Sequence, residues 1–219
     1  ENQYYMMDNQ YDQDNVSRLL MVEINPEKKL VTELWEYKFE EYPWGLTPIY
    51  GDADRLPSGN VLGSFWPGSL SGKHHEHILY EARLIEIVEG TQEVAWKVDI
   101  YGKTGCSEDE CKREYNGWKT YSVERFYEAP LIHNVHCNEK KIHFQTQNCF
   151  KQNNVYDGTY ELEDKESGEI LTNGTVSWKA HWRSTEVHVD IADLNITGND
   201  VLIRVTNEWG DIATKEHSC

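Results

Sequence analysis

Apolar and polar residues alternate with a period of two along most of this chain, the signature of half-buried β-strands. Tyr4-Tyr-Met-Met7 reads as a buried strand. Ser17–Ile24 alternates with Leu20, Val22 and Ile24 on one face. Asn25-Pro-Glu-Lys-Lys29 is a turn, and Leu30–Tyr37 is the partner strand. Arg55 and Leu56 end a further strand, Pro57-Ser58-Gly59-Asn60 turns the chain, and Val61–Trp66 returns it. Pro presets φ for the turn, while Gly and Asn tolerate positive φ. After a Gly/Ser/His loop, Ala82–Val88 and Glu93–Val98 form another hairpin.

Two of these hairpins resemble each other. Arg18-Leu-Leu-Met-Val-Glu-Ile, a turn and Leu30–Trp35 match Arg83-Leu-Ile-Glu-Ile, a shorter turn and Val94-Ala-Trp96. The match aligns Glu23 with Glu86 and Trp35 with Trp96. An apolar strand precedes each hairpin. The repeat unit is thus four antiparallel strands, the size of a propeller blade. One unit, residues 46–101, is whole, and the one before it lacks its first strand. A blade and a half would leave apolar faces and a sheet edge open. The expected partners are therefore upstream blades on a separate or cleaved chain.

From Leu131 the pattern becomes many short strands. They are His133–Cys137, Lys141–Asn148, Gly158–Glu163, Thr175–Trp182, Glu186–Ile191, Asp200–Thr206 and Ala213–His217, separated by turn signals such as Glu166-Ser-Gly168. Such spacing predicts an immunoglobulin- or fibronectin-like β-sandwich with Trp178 and Trp182 as core or rim aromatics. Tyr121–Tyr127 reads as a last strand of the first part. The expected fold class is all-β: the last one and a half to two blades of a β-propeller over residues 1–127, then a β-sandwich over 128–219.

Composition narrows the classes of partner. Hydrophobic residues make up 38% of the 219, with eight Trp and thirteen Tyr, which suits a folded β-rich chain. A net charge of −17 argues against nucleic acid or an anionic membrane as partner. No apolar run is long enough to span a membrane. Sequons begin at Asn15, Asn173 and Asn195, and five cysteines are present. Together they predict a secreted, extracellular or cell-surface glycoprotein. Cys106 with Cys111, and Cys137 with Cys149, are the expected disulfides. Cys219 is then left over for an interchain bond. The alternative pairs Cys219 inside the sandwich and frees Cys137 or Cys149.

Chemistry-bearing clusters are few. His74-His75-Glu76-His77 is the most metal-like stretch, with ligand types that suit zinc or copper. Neighbours on a strand point to opposite faces, so at most two of His74, His75 and His77 could share an ion. A solvated loop is the favoured reading. His133, His136 and His143 could converge across a hairpin, although ordinary sheet-face histidines are favoured there too. No nucleophile elbow, phosphate loop, CxxC or HExxH occurs, and no cofactor is expected.

The ordered set Met7-Asp-Asn-Gln10, Ser17–Ile24 with Leu34-Trp-Glu-Tyr37, Gly51-Asp-Ala-Asp-Arg-Leu-Pro-Ser-Gly-Asn60 and Ala82-Arg-Leu-Ile-Glu-Ile resembles the arylsulfotransferase family of six-bladed propellers. The resemblance covers about residues 4–127. It implies sulfuryl transfer between phenolic esters and phenols, without a nucleotide donor, through a transiently sulfated histidine. The family's histidine would fall upstream of Glu1. The equivalent position in the complete blade is Tyr50-Gly51-Asp52, which has no His. Tyr50, Asp52 and Asp54 are then candidates to line the channel. The alternative is a non-catalytic extracellular component that uses both parts as binding surfaces.

Overall fold

The computed structural model describes residues 2–9, 16–38, 47, 50–66, 80–101, 120–138, 140–194 and 200–219. These residues are all-β, with fourteen strands in four antiparallel sheets and no helix. No helix among them is therefore long and apolar enough to cross a membrane. The chain divides into two compact units, Glu1–Val123 and Glu124–Cys219.

The N-terminal unit holds two sheets. Strands β1 (Gln3–Asp8), β2 (Arg18–Asn25) and β3 (Leu30–Lys38) form the first, in that order. Strands β4 (Asp52–Arg55), β5 (Val61–Phe65), β6 (Tyr80–Ile87) and β7 (Val94–Tyr101) form the second, again as a simple meander. The β4–β5 turn closes through Leu56 N to Asn60 O and Gly59 N to Leu56 O. A shared core joins the sheets: Leu19 meets Ala53, Val61, Phe65, Ile85 and Ile87, with Tyr5, Met7 and Trp35 packed beside them. Trp35 Nε1 also donates to the Glu89 carbonyl at 3.0 Å.

The two sheets repeat one register. Arg18 pairs with Asp8 on one side and Lys38 on the other, as Arg83 pairs with Phe65 and Asp99. Counting from each Arg, Met21 faces Trp35 and Glu86 faces Trp96, and each hairpin has an irregularity immediately afterwards. Trp35 and Trp96 are thus equivalent. The partner of Glu86 in the repeat is Met21, not Glu23, because the longer first hairpin takes its extra residues beyond the bulge rather than before it.

The C-terminal unit also has two sheets. One runs β12 (Thr185–Asp190), β9 (Lys141–Gln147), β8 (Leu131–Cys137). The other runs β11 (Ile170–Trp178), β10 (Tyr156–Asp164), β13 (Asp200–Thr206), β14 (Ile212–Ser218). Strict alternation supplies their common core: Ile142, Phe144, Val187 and Val189 from one sheet, and Leu162, Val176, Trp178, Val201, Ile203 and Val205 from the other. Trp178 is wholly buried, and its indole N–H faces Thr146 Oγ1 at 3.4 Å. Gly158 makes room for it, since a Cβ there would stand 2.4 Å from the Trp178 ring and 2.4 Å from the Thr206 carbonyl oxygen.

Two expected strands differ. The strand read to Trp182 ends at Trp178, because Lys179 N turns to Thr185 Oγ1 and His181 N to Gln152 O. His181 and Trp182 both take left-handed backbone, at φ 59 and 57. Residues 121–127 form no ladder. Within that stretch Phe126 makes one isolated bridge to Phe150, and Tyr127 N donates to Cys149 O.

Candidate functional site

Tyr50, Asp52 and Asp54 sit at the start of β4. Asn9 positions the approach: its Nδ2 donates to Thr47 O at 2.6 Å and to Tyr50 O at 3.0 Å. The buried Ser17 hydroxyl accepts from Thr47 N at 2.7 Å and faces the Asn9 carbonyl at 3.0 Å. Thr47 and Tyr50 are therefore tied to the two residues that flank the β1–β2 connection. Tyr50 and Gly51 then adopt consecutive positive φ angles of 66 and 100. A side chain on Gly51 would also meet Met7 at 2.8 Å and Ser64 O at 2.9 Å. The Tyr50 ring rests edge-on against Trp66 at 5.3 Å and tilted against Tyr121 at 4.3 Å.

Asp52 and Asp54 share one face of β4, while Ala53 points the other way into the core. Asp52 Oδ1 accepts from the Ala53 backbone at 2.9 Å. The structure thus brings the two carboxylates to one face of an edge strand, with Tyr50 in an aromatic cluster just before them. At the opposite end of the β4–β5 hairpin, Arg55 pairs with Glu89 at 3.6 Å, beside the Tyr5 hydroxyl. Burial pushes the Tyr5 phenol above its usual range; Arg55 opposes this and Glu89 adds to it.

The histidines of the C-terminal unit do converge in part. His136 and His143 are direct partners across β8 and β9, and His143 and His188 are partners across β9 and β12. His143 and His188 stack at 4.5 Å, and His136 lies 6.4 Å from His143. His133 does not join them. A register shift separates it from His136, and its ring faces Gln147 Oε1 at 3.2 Å. Sequence reasoning missed His188 and Glu186, because β12 reaches β9 only after two intervening strands of the other sheet.

The cysteines correct the expected pairing. The disulfide joins Cys137 to Cys219, with Cα atoms 5.5 Å apart, and Cys149 is free and buried. Cys137–Cys149 is excluded by the β8–β9 hairpin. Cys137 lies opposite Ile142 at its turn end, whereas Cys149 follows Gln147 at the far end. Seven residues of strand put them about 20 Å apart, far beyond a disulfide's reach. Cys219 is therefore bonded within the chain rather than to a partner. The Cys149 thiol lies among Asn207 Nδ2 at 3.3 Å and Asp211 Oδ2 at 3.8 Å.

Asn173 is exposed on β11, an edge strand. Asn15, Asn195, Cys106, Cys111, His74, His75 and His77 lie outside the described residues. No family model matches the chain, and no curated protein matches it significantly.

Proposed function

We propose that the N-terminal unit is the last blade and a half of a secreted arylsulfotransferase-like propeller, completed by blades outside this sequence. The reaction implied is sulfuryl transfer from a phenolic sulfate to a phenol through a histidine on those blades. Tyr50, Asp52 and Asp54 would border the channel, and Asn173 would carry a glycan. The strand order of the C-terminal unit, β12-β9-β8 against β11-β10-β13-β14, supports an immunoglobulin/fibronectin-like sandwich.

One observation carries the propeller reading: the β5 positions of one repeat are covered, while the equivalent β1 positions of the other are open. The rows Val61–Ile87 and Gly63–Ile85 face β1–β3, with Val61, Ile85 and Ile87 at most 1% exposed. Their register equivalents are the rows Tyr4–Val22 and Met6–Leu20, on the face turned away from β4–β7. There the β2 members Val22 and Leu20 are buried, but the β1 members Tyr4 and Met6 are 49% and 39% exposed. A preceding blade packed as β1–β3 packs on β4–β7 would bury them, and its inner strand or one shared with it would pair with the edge of β1.

The test is a transfer assay on the protein with its upstream blades included, using 4-nitrophenyl sulfate as donor and phenol as acceptor. Nucleotide-independent release of 4-nitrophenol with formation of phenyl sulfate is expected. A rate at background in that folded protein overturns sulfuryl transfer. Met6→Asp, placed in the face to be covered, is expected to prevent the unit from assembling with its neighbours.

A further inference from the structure

The outward face of the β12-β9-β8 sheet carries a row of imidazoles. His136, His143 and His188 come from three adjacent strands at directly paired positions. The inward neighbours Ile142, Phe144, Val187 and Val189 form the core, so alternation alone puts the row on the outside. Glu186 stands two residues before His188 and so shares its face, with Oε2 3.8 Å from His188 Nε2. One donor atom each from His143, Glu186 and His188 lie within 4.8 Å of one another. His143 Nε2 is also buried without a hydrogen-bond partner. A ring nitrogen stripped of water and given no partner is unfavourable, and the cost is removed if the nitrogen is a ligand.

We propose that His143, His188 and Glu186 bind a divalent transition-metal ion of the zinc class, with His136 as an auxiliary ligand. Neutral imidazoles select zinc or copper over magnesium and calcium, which prefer all-oxygen shells. Two histidines and one carboxylate form a three-ligand set that leaves a position for water. Ligands about 2.0–2.2 Å from a tetrahedral ion stand roughly 3.3–3.5 Å apart, so the donors must close by about 1 Å. The movable parts are the exposed ones: the side chains of His188 and Glu186 are 60% and 53% exposed. His143, on the central strand of the sheet, is the fixed point. Binding would cross-link β9 to β12 and stabilise that pairing by mass action. The inference rests on the C-terminal unit and is independent of the propeller reading.

The experiment is calorimetric titration of the chelator-stripped full chain with ZnCl2. Because His74, His75 and His77 offer other imidazoles, it is run in the His74→Ala/His75→Ala/His77→Ala background. One equivalent of Zn²⁺ is expected to bind, with a rise in melting temperature, and Mg²⁺ is expected to give no signal. His188→Ala should weaken binding about tenfold or more, and Glu186→Gln should weaken it several-fold. His133→Ala should leave it unchanged. His143→Ala could disturb the sheet, so the exposed His188 carries the test, with circular dichroism confirming an unaltered fold. Absence of binding up to about 100 μM Zn²⁺, or affinity undiminished in the His188→Ala/Glu186→Gln double variant, overturns the proposal.

Discussion

Cys149 shows how strongly surroundings set the behaviour of one side chain. Burial pushes its thiol above the usual range and Asp211 adds to that, while the Asn207 hydrogen bond opposes them. The folded state therefore holds the thiol proton more tightly than the unfolded chain does. This contribution to stability is complete below the ordinary thiol value of about 8.5 and is lost as pH rises through the higher folded value. Urea midpoints should fall across that alkaline window, and Cys149→Ala should flatten the slope. Mass-spectrometric mapping should find Cys149 unmodified by iodoacetamide in the native chain at mild pH and modified in denaturant. Rapid native labelling would contradict the enclosure. Gly158 is governed by space instead. A Gly→Ala change in a strand can stabilise by about 0.4–1 kcal/mol through the unfolded chain. At Gly158 the new methyl would meet both the Trp178 ring and a backbone carbonyl oxygen. Overpacking of that kind costs about 1–3 kcal/mol and sets the sign. Gly158→Ala should lower the urea-derived stability of the C-terminal unit by about that amount.

Register, the property of paired strands, separates two arginines that sequence alone aligns. Arg83 is 3% exposed and forks both carboxylate oxygens of Asp99, at 2.6 and 3.0 Å. Arg18, its equivalent, serves Asp8 and Glu36 at a more open place, where its side chain is 19% exposed. Arg83→Ala strands a carboxylate in a mostly buried site, at a cost of about 3–5 kcal/mol. Arg18→Ala should cost less, because water can rescue its partners. Denaturant titration of the two variants side by side checks the order. Hairpin periodicity made both arginines and most of the strands legible in the residues. The β8–β9 strands were legible too, and with them the meeting of His136 and His143. Those same strands exclude Cys137–Cys149, since Cys137 lies at the turn end of the antiparallel hairpin and Cys149 beyond its far end. His188 and Glu186 were not legible, because nothing local states that β12 returns to β9 across the edge of another sheet. Trp182 was misplaced for a different reason: its run looks strand-like, but side-chain and backbone bonds from Thr185 and Gln152 end the ladder at Trp178.

At the scale of the molecule, each unit has its own core, so each should unfold in its own transition. The disulfide acts on only one of them. It ties Cys137, at the end of β8, to Cys219, just beyond β14, and so links the edges of the two sheets that share the C-terminal core. The sequence separation is 82 residues. A loop of that length removes unfolded-state entropy worth about 4.5 kcal/mol in the chain-entropy model, and measured bridges typically deliver about 2–4 kcal/mol. For a unit of this size, each kcal/mol moves the melting temperature by about 4–8 °C. Cys219→Ser should therefore lower the C-terminal transition by roughly 10–25 °C and leave the N-terminal one in place. Cys137→Ser should match it, and the double variant should add nothing further, because both changes remove one bond. Non-reducing electrophoresis should give a single chain with or without Cys219. A dimer that disappears in Cys219→Ser, or melting curves in which Cys137→Ser and Cys219→Ser differ by many degrees, would mean that Cys219 is spent on a second chain and that the two sheets are held by their core alone.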